Sequence, residues 1–143
     1  MVSDNVATAA ERPSKGLHIA LWIVQALLAV AFGFSGFIKA TMPIAELAKQ
    51  ISVPVVLGAG MTRFIGVAEI AGALGLVLPA LTRIRPLLTP LAAAALVVVM
   101  VLAAGYHVWQ GEMSGLPPNF VLGGLAAFVA WGRYRRAPIA ARP

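Results

Sequence analysis

The sequence predicts an all-α protein, a four-transmembrane-helix bundle with both termini in the cytoplasm. Three observations carry that expectation. The 143 residues are 60% hydrophobic and only 11% charged, against about 25% charged in a soluble domain, and the mean hydropathy is +0.89. Four long apolar segments follow one another without strict alternation, which favours helices over barrel strands. Arg and Lys gather at alternate segment ends, the pattern of the positive-inside rule.

Each element follows in order. Residues 1–16 contain Asp4, Asn5, Glu11, Arg12, Pro13 and Lys15 and read as a disordered cytoplasmic tail. A cleaved signal peptide is the other reading of this start, but the first apolar run is too long for a signal core and lacks a clear small-x-small cleavage site. That run predicts a first helix at about 17–39, enough to cross a hydrocarbon core of roughly 30 Å. The second helix is expected at about 62–81, with Pro79 ending or bending it. Pro86 and Pro90 mark the start of a third at about 87–110, since a first helical turn tolerates a missing amide proton. Pro117 and Pro118 do the same for a short fourth at about 118–133, expected to tilt or to thin the bilayer locally. Residues 135–143 read as a basic cytoplasmic tail.

Charge sets the orientation. Arg12 and Lys15 precede the first helix, Arg83 and Arg85 join the second to the third, and Arg133, Arg135, Arg136 and Arg142 follow the fourth. The other two loops carry Lys49 against Glu46, and Glu112 alone. A multi-pass protein of the plasma membrane is expected, and its net charge of +6 points to topology and lipid headgroups rather than to nucleic acid. With no cysteine, disulfides, thiolate redox centres and Cys-ligated iron–sulfur clusters are excluded.

Glu69 is the most informative residue. It interrupts a long apolar run, where a central charge costs roughly 2.5–3.5 kcal/mol on insertion scales. It therefore needs a partner, a neutral protonation state or a water-lined pocket. Arg63 starts the same helix, placing Glu69 about 9 Å deeper at roughly 1.5 Å per residue. Lys39 ends the first helix at that side, His107 ends the third, and Asn119 begins the fourth. All four helices thus bring a polar group to one level.

Their helical neighbours are small: Ser35 and Gly36 for Lys39, Gly66, Gly72 and Ala73 for Glu69, Ala103 and Ala104 for His107. Small faces suit helix contact, so a Lys39–Glu69 ion pair is expected, with Arg63 competing and His107 and Asn119 adding hydrogen bonds. Blander readings stand beside it. Lys39, Arg63 and Gln110 can snorkel to the headgroups, a Lys39–Glu69 pair can serve only to lock two helices, and His107 can be an interfacial hydrogen-bonding residue. If the site is catalytic, Glu69 and His107 are the proton-transfer candidates. Trp22, Tyr106, Trp109, Trp131 and Tyr134 read as interface anchors or packing. His18 and His107 belong to opposite sides, which argues against a shared haem or metal, and no phosphate loop, HExxH or nucleophile elbow is present.

The string Phe34-Ser-Gly-Phe-Ile-Lys-Ala-Thr-Met-Pro43 resembles the first-helix signature of the DoxX and DoxX-like membrane proteins. Arg63-Phe-Ile-Gly-Val-Ala-Glu-Ile-Ala-Gly-Ala-Leu-Gly-Leu76 is similar to their second-helix segment. An alanine-rich third helix ending near His107 and Asn119 opening the fourth fit the same pattern, so the resemblance covers roughly residues 17–134. It implies a four-helix membrane bundle of a family named after a subunit linked to a terminal quinol oxidase. Some relatives are associated with thiosulfate:quinone oxidoreduction or membrane redox-stress complexes. The expectation is a subunit or accessory factor of a quinone-linked redox system, with a quinone or other lipophilic ligand, and another redox subunit or a second copy as partner. No cofactor ligand set is evident. The alternatives are a small proton-coupled transporter and a purely structural scaffold.

Overall fold

The structure, a computed structural model, describes residues 12–143. Its elements are helices α1 (Lys15–Thr41), α2 (Ile44–Leu47), α3 (Val53–Val56), α4 (Gly58–Thr82), α5 (Leu88–Gln110) and α6 (Leu116–Trp131). A 3₁₀ turn, Met113–Gly115, leads into α6, and a π-helical turn, Gly132–Arg136, follows it. There is no strand among the described residues. Among the described residues, four helical stretches are long and apolar enough to cross a membrane: Lys15–Thr41, Gly58–Thr82, Leu88–Gln110 and Met113–Arg136.

Several boundaries differ from the expected ones, each for a local reason. Residues 1–11 of the expected tail lie outside the described residues. α1 opens at Lys15 because the Ser14 hydroxyl accepts from the Leu17 amide at 3.1 Å, a standard N-cap. α4 begins a turn before the expected position: Gly58 takes φ +84°, a conformation glycine adopts without strain, and the chain enters the helix there. The fourth span is longer than its apolar core suggests. The 3₁₀ turn before α6 and the π turn after it extend the helical stretch to 24 residues, so length does not require the bilayer to thin. The expected basic tail is docked. Arg83 Nε donates to the Ala140 carbonyl at 2.9 Å, and the Arg142 amide donates to the Arg83 carbonyl at 2.9 Å.

α1 packs on α4, α4 on α5, α5 on α6, and α6 returns to α1. The thinnest seam of this ring is α1–α6. Leu21, Leu28, Phe32, Leu76, Leu96 and Val129 fill the centre. Phe34, Phe64, Leu102 and Phe120 point outward and are about two-thirds exposed, an arrangement that lipid rather than water stabilises. One end carries the start of α1, the C-terminal segment and the 83–87 connection, and we call it the terminal end. The other carries α2, α3 and the 111–115 connection, and we call it the loop end.

Candidate functional site

At the loop end, α1 and α4 approach until their backbones touch. A Cβ placed on Gly36 would stand 2.5 Å from the Gly66 carbonyl oxygen, and one on Gly66 would stand 2.8 Å from that of Gly36. Only glycine fits on both sides, and the close approach brings the neighbouring polar side chains together. Lys39 Nζ donates to Glu69 Oε1 at 3.0 Å and Oε2 at 2.9 Å, and to Ser35 Oγ at 2.6 Å. Ser35 Oγ donates in turn to Glu69 Oε2 at 3.1 Å. Glu69 is 3% exposed. The expected Lys39–Glu69 contact is therefore present, with Ser35 closing it into a triangle.

The triangle borders a cavity of about 770 Å³. Phe32, Ile65, Met100 and Leu122 form part of its apolar wall, and Ile51, Val53 and Leu57 cover it from the α2–α3 segment. His107 and Asn119 also line it, so four of the five residues expected to share a site do so. Neither hydrogen-bonds the ion pair directly. His107 Nδ1 pairs with Glu112 Oε2 at 3.0 Å, and Asn119 Nδ2 is buried without a partner.

Arg63 is the exception. It does not compete for Glu69; Nη1 donates to the Lys39 carbonyl and Nη2 to the Met42 carbonyl, both at 2.7 Å. A helix ends with carbonyls that lack intrahelical donors, and a cation there also answers the helix dipole. Arg63 thus caps α1 and holds the segment leaving it.

The loop end contains residues that sequence reasoning assigned elsewhere. Tyr106, expected as an interface anchor or packing residue, pairs its hydroxyl with Ser52 Oγ at 2.8 Å. Glu112, a lone loop charge in the sequence, belongs to the same group. The Ser52 hydroxyl first, then the proton and charge of His107, hold its carboxyl below the ordinary 4.5, against the opposing effect of burial. Together these side chains tie the α2–α3 segment and the 111–115 turn to α5.

Residues 23–129 match the DoxX-like family. The chain belongs to the DoxX-like family. No curated protein and no solved structure matches it. As a DoxX-like membrane protein it carries Lys39, Arg63, Glu69, His107 and Asn119 all within the matched segment.

A second polar cluster of this DoxX-like chain sits at the terminal end and mostly outside the matched residues. Arg133, in the π turn, is 2% exposed. Its Nε donates to Gln25 Oε1 at 2.6 Å, and its Nη1 contacts His18 Nδ1 at 3.0 Å and the Ala137 carbonyl at 3.2 Å. Gln25 Nε2 reaches the Leu76 carbonyl at 2.6 Å, and the guanidinium lies 5.3 Å from the Trp22 ring centroid. Trp22 Nε1 also approaches His18 Nε2 at 3.2 Å. A neutral imidazole offers one acceptor nitrogen, so His18 serves one of its two donors at a time. A long polar side chain in an apolar run, Gln25, was the available signal for this cluster.

Proposed function

We propose that this DoxX-like membrane protein binds a lipophilic ligand with a hydrogen-bond-accepting head, of the quinone class, and serves as a subunit or accessory factor of a membrane redox system. One observation carries the reading: the apolar cavity has the Lys39–Glu69–Ser35 triangle at its edge and an unpartnered amide donor, Asn119 Nδ2, in its wall. Leaving such a donor buried and unpaired costs about 1–3 kcal/mol, and a ligand carbonyl oxygen removes that cost. His107 complements it. In the neutral imidazole an ionised Glu112 at Nδ1 favours the proton there, leaving Nε2 as the acceptor nitrogen, suited to a ligand hydroxyl. A flat ring that exchanges carbonyl for hydroxyl groups uses both. The proposed orientation places the terminal end, with its arginines, in the cytoplasm of the plasma membrane, and the cavity in the opposite leaflet.

A structural lock between α1 and α4 is the second reading, favoured by the glycine contact beside the ion pair. A proton-coupled transporter is supported less, because both Glu69 oxygens are taken up by Lys39 and Ser35. Titrating the purified protein with a short-chain ubiquinone separates the first two. Asn119→Leu is expected to weaken binding by about tenfold, one hydrogen bond's worth, while the melting temperature stays near that of wild type. Glu69→Gln, which leaves Lys39 without its carboxylate, is expected to weaken binding and to lower the melting temperature as well. Unchanged binding alongside a collapse in stability for Glu69→Gln would favour the lock.

A further inference from the structure

A second concave site lies at the terminal end, away from the cavity above. It is a cleft of about 660 Å³ between the start of α1 and the π turn, lined by Arg12, Pro13, Ser14, Leu17, Arg135 and Arg136. Every charged side chain in that lining is an arginine, and none of the three is in a salt bridge among the described residues. Guanidinium groups present flat forks of N–H donors that match phosphate oxygens.

Two features fix these arginines in place. The Arg136 guanidinium lies 5.7 Å from the Trp131 ring centroid, and that of Arg135 lies 5.6 Å from the Tyr134 ring. Such contacts orient a cation without neutralising it. The π turn divides the tandem basic residues: Arg133 goes inward, and Arg135 and Arg136 stay exposed. Single π turns of this kind recur at functional sites. Ser14 and Leu17, at the start of α1, line the cleft on the side across from the π turn. Trp131 and Tyr134 are half-exposed or more, the placement of aromatic residues at headgroup level.

We propose that this cleft cradles the phosphate of one anionic lipid, a phosphodiester such as that of phosphatidylglycerol, at the level where α1 and α6 leave the hydrocarbon. The occupant is a lipid rather than a soluble phosphate because the cleft opens beside two membrane-spanning helices with an aromatic residue on its flank. The arginines supply charge, the fork geometry supplies selectivity for phosphate, and α1 and α6 become bridged across their thin seam.

Native mass spectrometry of the full chain, released from nanodiscs of equal parts phosphatidylcholine and phosphatidylglycerol, tests this. The expected result is one phosphatidylglycerol retained per chain in preference to phosphatidylcholine. Arg135→Gln with Arg136→Gln should lower that preference by about tenfold, as loss of surface cations near lipid predicts. Arg12→Gln, which removes no contact within the fold, should lower it by a smaller factor and guards against misfolding of the double variant. Arg85→Gln with Arg142→Gln removes the same charge at the same end outside the cleft and should leave the preference intact. Equal loss in that control, or no preference in the native chain, would overturn the proposal. So would saturable stabilisation by glycerol phosphate in detergent matching that by phosphatidylglycerol, since the occupant would then be a soluble anion.

Discussion

The two ends of the molecule bury polar groups in opposite styles. At the loop end a cation meets a carboxylate, Lys39 with Glu69, and the pair opens on a cavity. At the terminal end a cation, Arg133, is buried more deeply with no carboxylate at all; an amide, an imidazole, a carbonyl and an indole face surround it. The second arrangement is packed and spans α1, α4 and the turn after α6, so its work is to hold helices. The first leaves room; each end keeps an unpaired buried donor, Asn119 Nδ2 here and Arg133 Nη2 there. Burial of charge alone does not distinguish a lock from a site; the space beside it does.

Arg133→Met is expected to break the comparison most severely. It strands Gln25 Oε1 and removes charge-assisted hydrogen bonds, for a loss of about 3 kcal/mol, read as a lowered unfolding midpoint with quinone binding kept once folded. A smaller loss, about 1–3 kcal/mol, is expected of Gly36→Val, which overpacks the α1–α4 contact. Here binding should fall as well, because the same contact sets the Lys39–Glu69 distance.

Replacing both partners, Lys39→Met with Glu69→Met, sharpens the distinction. A buried pair exchanged for apolar side chains is often neutral or stabilising, so stability should stay within about 1 kcal/mol of wild type. Ligand binding should nonetheless disappear. If binding survives, the ion pair belongs with the lock at the other end.

The smallest effect concerns pH. The Glu112 carboxyl titrates below its ordinary value, so its contribution is complete above the usual carboxylate range. That contribution is lost as pH falls through the lowered folded value. Hydrogen exchange at the 111–115 turn should therefore quicken in acid, and Glu112→Gln should remove that dependence.

Much of this was legible in one sequence because its signals are local. Apolar runs and prolines mark the spans, and the small neighbours of Lys39 and Glu69 mark the faces that meet. Depth alone brought His107 and Asn119 to the same cavity. It could not separate Arg63 from them, because a guanidinium reaching back to free carbonyls and one reaching across to a carboxylate look alike in sequence. Gln25 and Arg133 are far apart in the chain, and Arg133 turns inward only because the helix widens into a π turn after Trp131. The docked 137–143 segment depends on backbone carbonyls, which leave no trace in side-chain identity.

The Gly36–Gly66 contact makes α1 and α4 a fixed post. Two backbones already in touch have no slack, so any swelling of the cavity to admit a guest must come from the opposite wall, α5 and α6 with the α2–α3 cover. The α1–α6 seam, the thinnest in the ring, is where such a door would part.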